Sequence, residues 1–213
     1  MMESNAGALL NPWLSMWTQP RRTMRQVLET DPERLVLALA AIAGVSRALD
    51  RASLKSLGDH LPLVAVLGLS IIGGALSGML LLYLFGFLLR WTGRWFGAGG
   101  AAPQHVRAAI AWPNVITCWA LLLWAPQLLL FGKELFTTET PRLDANPGMT
   151  LLLLGFFLLE LVVGVWFIVA FLKCVGEVQG FSAWKALANV LVAGLVMVAP
   201  FAILGVIIAV VAS

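Results

Sequence analysis

Residues 61–89 form a stretch without a single Asp, Glu, Lys, Arg or His. About 20 apolar residues in a helix cross the hydrocarbon core of a bilayer, which is roughly 30 Å thick, because each residue adds about 1.5 Å. The stretch is longer than that minimum. It therefore predicts a helix that spans a membrane with some tilt.

Small residues recur at every fourth position of this predicted span, at Ser70, Gly74 and Gly78. Such a stripe lets the backbone of a second helix approach closely. Ala40 and Gly44 repeat the spacing in the apolar run that precedes it. We predict that these residues pack helices together; the alternative is that glycine is simply common in membrane helices.

The composition extends the membrane prediction to the whole chain. Hydrophobic residues make up 60%, charged residues only 12%, and the mean hydropathy is +0.90, whereas a soluble domain has about 25% charged residues. A chain of 213 residues has room for one membrane domain but hardly for a second, soluble one. We expect the lipid bilayer, other membrane proteins or a second copy of the chain as partners. Nucleic acid is not expected, because the net charge is only +3 and the arginines are spread among loops.

The remaining apolar runs predict an all-α protein, a bundle of five transmembrane helices in residues 35–213 that follows a cytoplasmic N-terminal segment, 1–34. The first run carries Arg47 near its end and crosses only if Arg34 and Arg47 extend to opposite surfaces. The third run contains Pro113 and Pro126, so its helix should be bent or broken. The five spans are predicted at about 35–49, 61–89, 108–130, 148–172 and 183–212.

The N-terminal segment predicts a short helix over residues 20–30. Met24 and Val27 fall on one side of it, and its arginines lie largely on another. This pattern favours an amphipathic helix at the cytoplasmic surface of the membrane, with Trp13 and Trp17 as interfacial anchors. The alternative is an ordinary solvated lead-in. Acidic residues separate the arginines from the first long apolar run, which is not typical of a secretory signal peptide.

Two polar residues are candidates for an intramembrane site. Glu160 is the acid that lies deep inside an apolar run, and Asn114 lies beside the predicted break at Pro113. A carboxylate at such depth is costly, so we expect Glu160 to face the interior of the bundle. It marks either an ion or proton path or a protonated carboxyl group that donates a hydrogen bond to a neighbouring helix.

The residues that catalysis needs are scarce. His60 and His105 fall on opposite sides of the predicted membrane, and the sequence has no HExxH, GxSxG or CxxC motif. Cys118 and Cys174 have no histidine close in sequence and are typical of small packing residues. A glycine-rich stretch after the second span lacks the GK[ST] of a phosphate-binding loop. We therefore predict no enzyme activity, no catalytic, cofactor or metal site, and no cofactor.

Three segments occur in a fixed order relative to the predicted spans: PWLSMWTQPRRTMRQVLETDP, GAGGAAPQHVRAAIAWPNV and KCVGEVQGFSAWKALANV. In this order the chain resembles bacterial Yip1-family membrane proteins over nearly its whole length. The resemblance implies a five-helix membrane domain with a cytoplasmic N-terminus. Most of the 14 Lys and Arg residues also fall on the side of the membrane where the N-terminus lies, which independently favours a cytoplasmic N-terminus and an outside C-terminus. The resemblance implies that this membrane is the bacterial inner membrane.

The resemblance also bears on function. Eukaryotic relatives act in vesicle traffic and bind Rab-type GTPases, but this chain lacks their long N-terminal region, so GTPase binding is not carried over. We expect a non-enzymatic protein that organises the membrane or acts as an adaptor through helix packing and partner binding. The alternative is a small ion or solute transporter or channel that uses Glu160.

Overall fold

The computed structural model describes residues 9–212, and these residues form helices and turns without a β-strand. The predicted all-α class is therefore confirmed. The helices are α1 (Pro12–Thr18), α2 (Pro20–Thr30), α3 (Val36–Leu54), α4 (Leu63–Gly93), α5 (Pro103–Ala111), α6 (Val115–Phe131), α7 (Pro141–Asp144), α8 (Pro147–Gln179) and α9 (Ala183–Ala212).

Within the described range, four helical stretches are long and apolar enough to cross a membrane. Four of the five predicted spans are thus supported. The helix that contains the other predicted span, α3, does not meet the requirement for a long apolar run. Its apolar run is interrupted by Arg47, Asp50 and Arg51. The four stretches are Leu63–Phe96, Pro103–Phe136, Pro147–Gln179 and Ala183–Gly205.

The predicted first span, 35–49, lies largely within α3, which continues to Leu54. The two ends of α3 lie at opposite ends of the bundle. Just before it begins, Glu33 pairs with Arg107 near the start of α5 at 2.6 Å. Near its other end, Ser53 Oγ donates to the carbonyl oxygen of Leu135, beyond the end of α6, at 2.6 Å. Because the helix does not stop at residue 49, Arg47 lies in its interior rather than at a terminus.

The helix that follows α4 and its connecting loop is broken at Pro113, as the proline predicts. α5 ends at Ala111, a 3-10 turn covers Trp112–Asn114, and α6 starts at the next residue. Proline removes one backbone donor, and this leaves a preceding carbonyl without its helical partner. The Asn114 side chain caps the next two carbonyls of the broken turn, since its Nδ2 donates to the carbonyl oxygens of Ile110 at 2.8 Å and Ala111 at 3.0 Å. Pro126, in contrast, lies inside the continuous helix α6.

The N-terminal helices pack against the bundle. α2 contacts α8 and α5, and its apolar residues Met24 and Val27 are almost completely buried. That side of the helix therefore contacts protein, although the sequence favoured contact with lipid. Polar contacts also join the N-terminal helices to α8. Arg25 Nη2 of α2 pairs with Glu177 Oε1 at 2.7 Å, and Trp166 Nε1 donates to the Trp17 carbonyl of α1 at 2.9 Å. The predicted interfacial position of α2 stays a prediction.

Candidate functional site

A cleft inside the bundle consists of two adjoining cavities of about 260 and 220 Å³. We call the larger one the apolar lobe, because most of its lining is hydrophobic, and the smaller one the polar lobe. Arg47, Asn114 and Phe167 line both cavities and so mark their junction. The apolar lobe is lined mainly by Leu81, Leu82, Phe85, Ile110, Phe171 and Met197. The polar side chains of the other lobe are those of Ser46, Arg47, Asp50, Asn114, Thr117 and Glu160.

Three parts of the chain bring these charged and polar groups together. α3 supplies Arg47 and Asp50, which are three residues apart and so lie on the same side of the helix. α8 supplies Glu160. Asn114 comes from the break at Pro113 and Thr117 from the first turn of α6. The structure thus places both sequence-predicted polar residues, Glu160 and Asn114, on one cleft.

Glu160 is held by a neighbouring helix. Gln127 Nε2 donates to Glu160 Oε1 at 2.6 Å, and Gln127 is only 5% exposed. Gln127 follows Pro126, so the contact lies beside the proline inside α6. The direction of the hydrogen bond differs from the expected one, because the amide donates and the carboxyl oxygen accepts. An ionised carboxylate can make this bond as well as a neutral acid can.

Charge in the polar lobe is unbalanced. Arg47 is its cation, and Asp50 and Glu160 are its two acids. Among residues 9–212 the direct ion pairs are Arg25–Glu177 and Arg107–Glu33, so Arg47 pairs directly with neither acid. Both Arg47 and Asp50 have exposed side chains. The lobe can therefore offer its guanidinium and carboxyl groups to a ligand.

The five predicted packing residues lie where α3 runs antiparallel to α4. A Cβ atom added to Gly74 would lie 2.9 Å from the Gly44 carbonyl oxygen, and one added to Gly78 would meet Gly44 Cα at 2.8 Å and the carbonyl oxygen of Ala40. Ser70 and Ala40 are 5% and 2% exposed. Ala40 and Gly78 also line the apolar lobe. The close approach of these two helices therefore shapes one wall of the cleft.

A buried hydrogen-bond network near the other end of α4 was not predicted. Asn189 on α9 donates from Nδ2 to Gln179 Oε1 at 2.7 Å and to the Leu89 carbonyl at 3.1 Å. Gln179 Nε2 donates to the same carbonyl at 3.0 Å, and Thr92 Oγ1 donates to Asn189 Oδ1 at 2.6 Å. All three side chains are at most 4% exposed. The signal in the sequence was Asn189, an uncharged polar residue inside an apolar run.

The possible metal ligands and the two cysteines do not form a further site among the described residues. Within residues 9–212 no group of three or more His, Cys, Asp and Glu side chains is arranged to hold a metal ion. Cys118 and Cys174 are both free thiols. Cys174 is fully buried, and its Sγ lies 3.7 Å from the Pro20 carbonyl oxygen, where α2 packs on α8.

A model of the Yip1 domain matches residues 14–210. This chain belongs to the Yip1 family. A search of curated proteins and a search of solved structures each found no match. The Yip1 domain includes every residue of the cleft, of the contact between α3 and α4, and of the network around Asn189. Together with the four apolar helices, it identifies the chain as a membrane protein of the Yip1 family.

Proposed function

We propose that this Yip1-family protein is a non-enzymatic membrane carrier that binds a polar or charged ligand in the cleft. One observation carries the proposal: Arg47, Asp50 and Glu160 from two different helices line one cavity together with Asn114. Charged side chains inside a membrane are costly, and where they occur they typically mark the path of a substrate or ion.

The depth of Glu160 supports this function. It is separated from Pro147 at the start of α8 by about 20 Å and from Gln179 at its end by about 28 Å, at 1.5 Å for each residue. A group that deep in an apolar helix serves a carrier because it lies within reach of ligand from either side.

The same proposal assigns α3 as a fifth crossing. Its 19 residues reach about 28 Å, close to the thickness of the hydrocarbon core. Its small residues lie against α4, and Arg47 and Asp50 line the cleft, so neither feature requires contact with lipid. Five crossings put the two termini on opposite sides of the membrane, and the excess of Lys and Arg on the N-terminal side supports a cytoplasmic N-terminus. The proposed membrane is the bacterial inner membrane, as the resemblance to bacterial members of the family implies.

Chemical access to the polar lobe tests the carrier. Ser46→Cys and Thr117→Cys are made singly in a chain in which Cys118 and Cys174 are replaced by alanine. A membrane-impermeant maleimide is then applied to vesicles of either orientation. A carrier exposes these positions to water from both sides over time. Ser70→Cys, buried between α3 and α4, is the unreactive control, and Thr138→Cys, on an exposed loop, is the reactive one. Labelling of the lobe as slow as that of Ser70→Cys would overturn the proposal.

A second candidate function is an adaptor, and the N-terminal helix α1 favours it. Trp13 is 37% exposed and Leu14 is 61% exposed, although α1 packs on the bundle through the buried residues Ser15 and Met16. An exposed apolar pair on a short helix suits contact with another membrane protein. A photo-crosslinker at Leu14 in native membranes distinguishes the two functions: a discrete protein adduct supports the adaptor, whereas crosslinks to lipid alone count against it.

A further inference from the structure

We propose that the ligand of the cleft is a phospholipid whose head group carries a primary amine. This inference rests on the proposed carrier function and adds the class of substrate. The cleft has an apolar lobe, then Arg47, then two acids. This is the order in which such a lipid carries its acyl chain, its phosphate and its amine.

The apolar lobe suits an acyl chain. Its lining of Leu82, Phe85, Ile110, Phe171 and Met197 offers aliphatic, aromatic and thioether surface. A small ion or a sugar would leave that surface wet, whereas a hydrocarbon chain would bury it at about 25 cal/mol for each Å² removed from water. Together the two lobes reach the range of ligand pockets, roughly 300 to 1,000 Å³. They are large enough for a head group and the first part of a chain.

Arg47 lies at the junction of the two lobes, where the phosphate of such a lipid would lie. A guanidinium group presents a planar fork of donors that matches two phosphate oxygens. Arg47 lines both lobes and forms no direct ion pair with a carboxylate of residues 9–212, so its donors are available to a ligand.

Asp50 and Glu160 lie beyond the junction, in the polar lobe, where the amine would follow the phosphate. Gln127 occupies Glu160 Oε1 at 2.6 Å and fixes the orientation of the carboxyl group, and the other oxygen remains available to accept. A primary ammonium group has three N–H donors for these acceptors. The guanidinium of Arg47 thus faces the one phosphate, and the two carboxyl groups supply the acceptors for the one ammonium.

The same charges disfavour the other common lipids. An anionic lipid without an amine, such as phosphatidylglycerol, would satisfy Arg47 but leave both carboxylates without a cation. Phosphatidylcholine has the right charges, but its quaternary ammonium has no N–H to donate to Asp50 or Glu160. The cleft should therefore select phosphatidylethanolamine over both.

The test measures which lipid stays with the protein. Purified full-length chain is incubated with mixed micelles of phosphatidylethanolamine, phosphatidylcholine and phosphatidylglycerol in equal amounts, and native mass spectrometry counts the retained lipid. We expect phosphatidylethanolamine to exceed each of the others by about tenfold, which corresponds to about 1.4 kcal/mol. Equal retention of the three lipids, or preference for phosphatidylglycerol, overturns the inference. This comparison uses the unaltered chain and so does not depend on the folding of a variant.

Two variants locate the site. Arg47→Gln and Glu160→Gln should each remove the preference, whereas Arg51→Gln, on the same helix but outside the cleft lining, should keep it. If both cleft variants select lipid as the unaltered chain does, the assignment to the cleft is wrong. If the maleimide labels the polar lobe but no lipid is preferred, the carrier function stands and the proposed substrate class is wrong. If the maleimide does not label the lobe, both the carrier function and the substrate class are wrong.

Discussion

The amide nitrogen of Gln127 lies 2.6 Å from Glu160 Oε1, so a neutral side chain of α6 holds an acid of α8. Gln127 is almost completely buried, whereas Glu160 is partly exposed and lines the polar lobe. Positioning of the acid and exposure of the acid to the cleft are thus assigned to two different side chains. Gln127 fixes the position of the carboxyl group, and Glu160 presents its remaining oxygen to the cleft.

Substitution of Glu160 should separate stability from function. Glu160→Gln keeps an oxygen that can accept from Gln127, so thermal unfolding in detergent should change little. Glu160→Leu leaves the buried Gln127 amide without its acceptor, which costs about 1 to 3 kcal/mol. The double variant Glu160→Leu with Gln127→Leu should recover part of that loss, because neither polar group then remains. A double variant that is less stable than Glu160→Leu alone would argue against this pairing.

The contact between α3 and α4 predicts a contrast between adjacent glycines. Gly74→Leu places its Cβ 2.9 Å from the Gly44 carbonyl oxygen, and forcing the helices apart should cost about 1 to 3 kcal/mol. At Gly73 an added Cβ meets no atom within 4 Å, so Gly73→Leu serves as the control. Melting temperatures of the two variants in the same detergent provide the measurement. Equal melting temperatures of the two variants would show that the small-residue stripe does not stabilise the contact between α3 and α4.

Removal of the Asn189 side chain should loosen α9. Asn189→Leu leaves the buried Gln179 Oε1 without its donor, which costs about 1 to 3 kcal/mol. Thr92 Oγ1 keeps the Leu88 carbonyl as an acceptor. Leu191→Ala, at a position of the same helix that is 59% exposed, should have a much smaller effect. Limited proteolysis and thermal unfolding both report the difference, and equal behaviour of the two variants would contradict it.

Acid should weaken the loop contact between Asp59 and Thr138. Thr138 Oγ1 donates to Asp59 Oδ2 at 2.6 Å, and the Thr138 backbone N–H donates to the same carboxylate. The Thr138 hydroxyl, followed by its N–H, holds the pKa of Asp59 below the usual value of 3.8. The contact therefore stabilises the fold above about pH 3.8, and its contribution is lost as pH falls through the lowered pKa.

Comparison across pH makes that expectation measurable. Asp59→Asn should lower the melting temperature near neutral pH and show a smaller further decrease below about pH 3.8 than the unaltered chain. Glu139→Gln, at an exposed neighbouring acid, should leave the pH profile unchanged. A profile of Asp59→Asn parallel to that of the unaltered chain would show that this carboxylate does not contribute.

The crossing assigned to α3 determines the sides of the loops. Reporter fusions at Gly99 and Asp144 should report opposite compartments, Gly99 inside and Asp144 outside, because one crossing separates them. Fusions within residues 9–30 should agree with Gly99 if α3 crosses. If fusions within residues 9–30 report the same compartment as Asp144 instead, α3 does not cross the membrane.

Much of the architecture follows from patterns within single segments. A long uncharged run is sufficient to predict α4, because crossing a bilayer depends on length and composition alone. Pro113 marks the break before α6 as predicted, but Pro126, for which a bend or break was also predicted, lies inside the continuous helix α6. The helix expected at 20–30 is α2, Pro20–Thr30. Its surroundings were harder to predict, because an apolar stripe does not reveal whether lipid or protein covers it.

Contacts between distant segments could not be predicted in the same way. Arg47 was expected at a helix end because charged residues usually close an apolar run, yet α3 continues for two further turns. Gln127 and Glu160 are 33 residues apart, and nothing local to either residue identifies the other. The family resemblance implied five spans, of which four are supported. It did not supply the cleft, which depends on the sides that α3, α6 and α8 turn toward each other.

The network around Asn189 makes α9 the partner on which two other helices depend. Without Asn189, Gln179 Oε1 loses the donor that it has at 2.7 Å, whereas Thr92 keeps the Leu88 carbonyl and Gln179 Nε2 keeps the Leu89 carbonyl as acceptors. Release of α9 would therefore admit water to the part of the bundle where α4 and α8 meet these side chains. Cleavage of the chain before Ala183 should accordingly make the remaining helices more sensitive to further proteolysis than the intact protein is.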